Sequence, residues 1–287
     1  MQNSLSKKKT RISDYIIYAL IYLCTGFSVA LVVGIIGYVF YRGLGMVNWS
    51  FLTSVTSVYR GTVGIAGNIV NTLYMIVITL LIATPIGIGS AIYLNEYAKP
   101  GKFVNLIQFT TETLAGIPSI IFGLFGWVFF GTTCKLGTSI LTGALTLSIM
   151  ILPLITRNTQ EALKTVPDSY RSGALGMGAT KWYMIRTILL PSAMPGIITG
   201  VILGIGRIVG ESAALLFTGG SSALLAKNLL GHLKEPGGTL TIQLYLSMTK
   251  YEYDVAFGIA AVLLVIVLCI NILTKVLAKK FDVYTKA

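Results

Sequence analysis

The sequence predicts an all-α membrane protein with six transmembrane helices in one domain spanning residues 1–287. Three observations predict it. Only 11% of the 287 residues are charged and 54% are hydrophobic, against about 25% charged in an ordinary soluble domain. The mean hydropathy is +0.80. Six apolar runs are long enough to be read as helices across a hydrocarbon core, which needs about 20 residues.

The first run covers about 16–41. It follows the basic stretch Lys7, Lys8, Lys9 and Arg11. It is too long for a signal-peptide core and lacks a clear small-residue cleavage site, so it is read as an uncleaved span. The second covers about 69–94 and contains Pro85. The third, about 114–130, contains Pro118 and has the least defined start. The fourth covers about 138–155, the fifth about 193–217 and the sixth about 256–277. Gly87, Gly89, Gly123, Gly126, Gly200, Gly204 and Gly206 lie in these runs, where small residues allow helices to approach closely.

The net charge of +12 does not form a nucleic-acid patch, because the basic residues sit between the apolar runs. With the N-terminus inside, 15 Lys and Arg fall in cytoplasmic segments, six in outer segments, and Arg207 inside the fifth span. The positive-inside rule then expects both termini in the cytoplasm. Arg60 and Lys227 are among the outer six, and Lys279, Lys280 and Lys286 among the inner fifteen. The outer segment 219–254 carries short apolar stretches such as Ala223–Leu230, expected to dip into the membrane or cap the outer mouth. Cys24, Cys134, Cys269 and the single His232 form no ligand pattern, so no zinc or redox centre is expected. No GxxxxGK[ST] loop is present, so the chain does not bind ATP in that way itself.

Arg207, Glu211 and Ser212 lie in the apolar fifth run. A helix would put Arg207 and Glu211 on one face, four residues apart. Arg207 would lie about 21 Å along the span from Ala193. Ionisable groups at such depth are costly unless paired or hydrated, and they tend to face a pathway. Arginine's planar fork suits an oxyanion. The competing reading is a structural ion pair, with Glu211 holding Arg207 or a basic group of a partner.

The inner segment, about 168–190, reads DSYRSGALGMGATKWYMIRTILL, followed by Pro191. Asp168 and Ser169 suit a helix start after Pro167. A turn is expected at Gly178, followed by an apolar stripe of Trp182, Met184, Ile185 and Ile188. A short helix there would fit a groove on a partner.

This segment resembles the EAA loop of binding-protein-dependent ABC importer permeases. Ser172, Gly173 and Ala174 stand at the E-A-A positions, Gly178 at the glycine, and Ile188, Leu190 and Pro191 at I-x-L-P. The strings LAGIPSIIFGLFG (114–126), GATKWYMIRTILLPSAMPGIITG (178–200) and GRIVGESAALLFTGG (206–220) are similar to the phosphate-specific (Pst) permeases, the A-type subunit fitting best. The resemblance implies a type I importer permease fold in the bacterial inner membrane. It implies a C-type permease partner, two ATP-binding cassette subunits and an extracytoplasmic phosphate-binding protein. It implies coupling to the ATPase through Ser172, Gly173, Ala174, Gly178, Ala179, Lys181 and Pro191. The substrate path is expected from the residues themselves, at Arg207 and Glu211 with Ser212 as a polar neighbour. No cofactor and no covalent chemistry are expected of this chain. The alternatives are a permease for sulfate, molybdate or phosphonate, or an ion-coupled carrier, which would show inverted repeats.

Overall fold

The structure, a computed structural model, describes residues 12–57, 62–99, 101–223, 225 and 231–281. Lys7, Lys8, Lys9, Arg11, Arg60, Lys227, Lys286, most of the Ala223–Leu230 stretch, and the side chains of Lys279 and Lys280 lie outside the described residues.

Helix α1 spans Ile12–Gly43. A short α2, Trp49–Thr53, is capped by Asn48, whose side chain accepts from the Phe51 N–H at 2.7 Å. Strands β1 (Val55–Ser57) and β2 (Thr62–Ile65) pair antiparallel. Helix α3, Ala66–Ile92, continues through a π turn to Tyr97. Helices α4 (Lys102–Gly116) and α5 (Ser119–Gly126, continued to Thr133) follow. Then come α6 (Ile140–Lys164), α7 (Asp168–Gly176) and α8 (Lys181–Met184). A π turn, Ile185–Leu189, joins α8 to α9 (Leu190–Gly210). The chain ends with α10 (Ala213–Thr218), α11 (Leu240–Thr249) and α12 (Tyr253–Phe281).

Among the described residues, five helices are long and apolar enough to cross a membrane, or six if the bent pair α4–α5 is one span. That pair bends by 103° at Ile117–Pro118. Proline has no N–H and holds the residue before it in extended backbone; Ile117 is extended, at φ −73° and ψ 132°. The expected unbroken third run, 114–130, is therefore split, and its first residues, Leu114–Gly116, close α4. The fifth run, expected to be continuous over 193–217, breaks after Gly210.

The core joins α3, α6 and α9 through Ala83, Leu147, Ile151, Ile155, Ile205 and Ile208. In lipid, packing and close approach replace the hydrophobic drive between helices. A side chain at Gly87 would meet Ile155 Cγ2 at 2.8 Å, and one at Gly200 would meet Asn158 Cβ at 2.7 Å. Gly123 and Gly126 are equally tight, against Ala214 and Thr146. Gly89 and Gly206 face open space, so close packing is not their role within this chain. Helix α1 touches mainly α12 and is otherwise exposed along its length.

The end of the bundle opposite α7 is closed by a buried polar knot. Asn68 and Asn71 of α3 donate their amides to the Gly238 carbonyl, at 2.9 and 3.3 Å, and Asn71 also donates to the Ser222 carbonyl at 3.2 Å. With its amide nitrogen so placed, Asn71 turns Oδ1 to His232 Nε2, 2.7 Å away. His232 Nδ1 lies 2.9 Å from Glu235 Oε2. The Leu240 N–H donates to the Thr72 hydroxyl at 3.0 Å. Asn71 and Thr72 therefore hold the segment carrying Ser222, His232 and Gly238 over this end of the bundle.

Candidate translocation path and coupling segment

The inner segment folds as two short limbs. Pro167 and Asp168 open α7, with proline's fixed φ suited to a helix start. Gly178, at φ +81°, makes the turn, a conformation that costs other L-residues about 1–2 kcal/mol. Thr180 caps α8 by accepting from the Tyr183 N–H at 3.3 Å. Ala174, Met184, Ile185 and Leu189 are buried against Leu163, Ala193 and Ile197. The expected stripe is thus partly corrected. Met184 and Ile185 turn inward, Leu189 joins them, Ile188 is half-buried, and Trp182 is 59% exposed.

The seven residues named for coupling divide by direction. Ala174 is buried in the chain's own core, and Ala179 and Pro191 are half-buried. Ser172, Gly173, Gly178 and Lys181 are exposed. Beside them Leu175, Met177 and Trp182 stand out from the surface, with Met177 84% exposed.

The fifth span departs from its predicted geometry. Helix α9 ends at Gly210, and Glu211 is extended, at φ −84° and ψ 123°. Arg207 and Glu211 therefore do not share a helical face, and no ion pair joins them among the described residues. Glu211 is buried and turns into α10, where its Oε1 accepts from the Ala214 N–H at 3.0 Å. Its carbonyl accepts from the Thr241 hydroxyl at 3.0 Å. Ser212 lines a cavity of about 280 Å³ with Ile120, Ala213, Leu216, Phe217, Ile242 and Tyr245. Arg207 lies on the opposite kind of surface. Pro195, Thr199, Leu203, Gly206, Arg207 and Gly210 form one exposed stripe along α9 at helical spacing. The buried face carries Ala193, Ile197, Gly200, Gly204, Ile208 and Val209. Broken helices are tolerated at membrane depth where the freed backbone is buried in protein or lines a cavity.

A family model described as binding-protein-dependent transport system inner membrane component matches residues 83–283. The chain belongs to this family. It is a permease subunit of an ABC importer, a multi-pass protein of the inner membrane. It is 36% identical over 210 residues to the probable ABC transporter permease protein YqgI of Bacillus subtilis, covering 73% of this chain and 71% of that one. It is 31% identical over 237 residues to the phosphate transport system permease protein PstA of Haemophilus influenzae, covering 82% of each. The chain spans 34% of the length of the PstA homologs of Mycoplasma pneumoniae and Mycoplasma genitalium. The fold is shared with a chain of the crystal structure of a bacterial alginate ABC transporter in complex with its alginate-bound periplasmic protein. There the TM-score is 0.71 at 15% identity, over 94% of this chain and 96% of that one.

The permease also carries contacts that its sequence did not announce. Glu96, at the inner end of α3, pairs with Arg171 of α7 at 3.0 Å. The ring of Tyr97 lies 5.0 Å from the Lys181 ammonium. A charged residue closing an apolar run is visible in the sequence; its partner 75 residues away is not.

Proposed function

We propose that this permease is the A-type half of an inorganic phosphate importer, with Arg207 on the translocation path. It works with a C-type permease, two ATP-binding cassette subunits and an extracytoplasmic phosphate-binding protein. Both termini lie in the cytoplasm. ATP hydrolysis belongs to the partner subunits, and this chain supplies the route.

The observation that carries the reading is the position of Arg207. Arg207 lies in the last turn of α9, just before the break at Gly210, and an arginine on an apolar span is expensive against lipid unless it meets water, a partner or a substrate. Arg207 lies on the face of α9 turned away from its own core, without an ion-pair partner among the described residues. Its fork of N–H donors, which makes no hydrogen bond among the described residues, suits a tetrahedral oxyanion. Glu211 and Ser212 shape the break beside it. Glu211 fixes the start of α10, and Ser212 offers a hydroxyl to the adjoining cavity. Relatives named as phosphate transport permeases support phosphate over other oxyanions.

On the inner side, Ser172, Gly173, Gly178 and Lys181, with the projecting Leu175, Met177 and Trp182, form the surface that docks in the ATPase. Ala174 and Ala179 act from behind by seating that surface on the bundle, and the half-buried Pro191 follows at the start of α9.

The test is ATP-driven phosphate uptake by the reconstituted complex, wild type against Arg207→Ala, with sulfate and molybdate as competitors. The expected result is a loss of uptake of roughly a hundred-fold, as for removal of a charge-assisted contact worth about 3 kcal/mol, with the complex intact. Normal uptake by the variant removes Arg207 from the path. Competition by sulfate or molybdate as strong as by phosphate itself reassigns the substrate.

A further inference from the structure

Arg171 is fully engaged within this chain. Its Nε and Nη2 donate to Glu96 Oε1 at 3.3 and 3.0 Å. Nη2 also donates to the Leu163 carbonyl at 2.9 Å. Nη1 donates to the Val166 carbonyl at 2.9 Å and to Asp168 Oδ1 at 3.0 Å. A guanidinium has five N–H donors, and these five contacts use them all. Leu163 lies in the last turn of α6 and Val166 just beyond it, where helix-end carbonyls lack partners within the helix. One side chain on α7 thus closes the end of α6 and grips the end of α3. Its carboxylate partner is only 4% exposed and also accepts from Asn95 Nδ2 at 2.7 Å.

The next residue along α3 holds the other limb. Lys181, at the start of α8, sits over the ring of Tyr97. Two consecutive residues of α3 therefore hold both limbs of the inner segment, one on each side of the Gly178 turn. Helix α8 already runs directly into α9. The same segment also packs on α6 and α3, since Ala162 and Leu163 share a buried cluster with Ala174, Met184 and Ile185, and Ile88 and Ile92 lie against it; Glu96 and Arg171 add a directional polar grip to that apolar contact.

We infer that Arg171 and Glu96 form a clamp that makes α7, the inner end of α3 and the inner end of α6 move as one body, so that force from the ATPase reaches α3 and α6 as well as α9. Arg171 is a positioning residue and touches no substrate. The inference rests on the coupling reading of residues 168–190 but not on the identity of the transported anion.

The test reads uptake per ATP hydrolysed. The complex is purified with its ATPase and partner permease and reconstituted as wild type, Glu96→Gln and Arg171→Ala. Phosphate uptake and ATP hydrolysis are followed in the same vesicles. Both variants are expected to retain the ATPase and keep hydrolysing ATP, while uptake per ATP falls roughly ten-fold, a typical size for coupling between sites. A purely structural role would lower the yield of complex and leave that ratio unchanged. An unchanged ratio in Glu96→Gln overturns the clamp even if Arg171→Ala does not assemble, because glutamine keeps the shape and leaves Arg171 on its carbonyls. If wild type carries another oxyanion, the ratio is measured with that anion, so the phosphate reading and the clamp fail separately. Failure of wild type to retain the ATPase removes the coupling reading and the clamp with it.

Discussion

Arg171 and Arg207 belong to the same chain and show opposite habits. Arg171 spends every donor on its own protein, between a buried carboxylate and the loose end of a helix. Arg207, on a far more apolar helix, makes no ion pair among the described residues and lies on an exposed face. The difference separates a charge that joins elements of its own chain from one that the described residues leave open. The first is inferred to transmit motion between helices; the second is the one proposed to meet a group outside the chain.

That contrast can be broken most directly by comparing the stability of two alanine variants. Arg171→Ala strands Glu96 and is expected to cost about 3–5 kcal/mol, the usual penalty for removing one partner of a buried pair. Thermal unfolding in detergent should show a large fall in Tm. Arg207→Ala should leave the Tm close to wild type, because among the described residues it gives up no ion pair. Equal falls in the two variants would erase the distinction between them.

A smaller effect sharpens the same point at the other end of the bundle. Asn71→Ala removes the amide that joins His232, Ser222 and Gly238. Stranding buried polar partners is expected to cost about 1–3 kcal/mol, with proteolysis of the outer segment as the readout. Cleavage at the wild-type rate would show that the knot does not hold that segment. The smallest effect is at the inner turn. Gly178→Ala keeps the space but not the backbone preference, and should cost about 1 kcal/mol. Its Tm should fall slightly while uptake per ATP stays unchanged. A fall in that ratio would mean that the turn itself flexes during coupling.

The apolar runs made the spans legible, because length and hydropathy are properties of contiguous residues. The inner helix start at Pro167–Asp168 and the Gly178 turn were legible for the same local reason. The break at Glu211 was missed, although Gly210 before Glu-Ser carries a stop followed by a start; the apolar residues on both sides hid it. The shared helical face expected for Arg207 and Glu211, and the competing reading of an ion pair between them, both assumed an unbroken helix, which ends at Gly210. Helix α4 was also missed. Its exposed Phe103, Leu106 and Phe109 are spaced for a helix but interleaved with polar residues, so no continuous apolar run marked it. The Glu96–Arg171 and Asn71–His232 contacts join residues 75 and 161 positions apart, and no local pattern encodes such a meeting.

The polar knot also sets an order of assembly. Asn68 and Asn71 enter early in synthesis, within the second span, yet Gly238 and His232 lie beyond the fifth. A buried amide without partners costs several kcal/mol, so the outer end of α3 cannot be sealed when it is first inserted. The final locking of the second helix therefore waits for nearly the whole chain, because its partners Ser222, His232 and Gly238 are made so late.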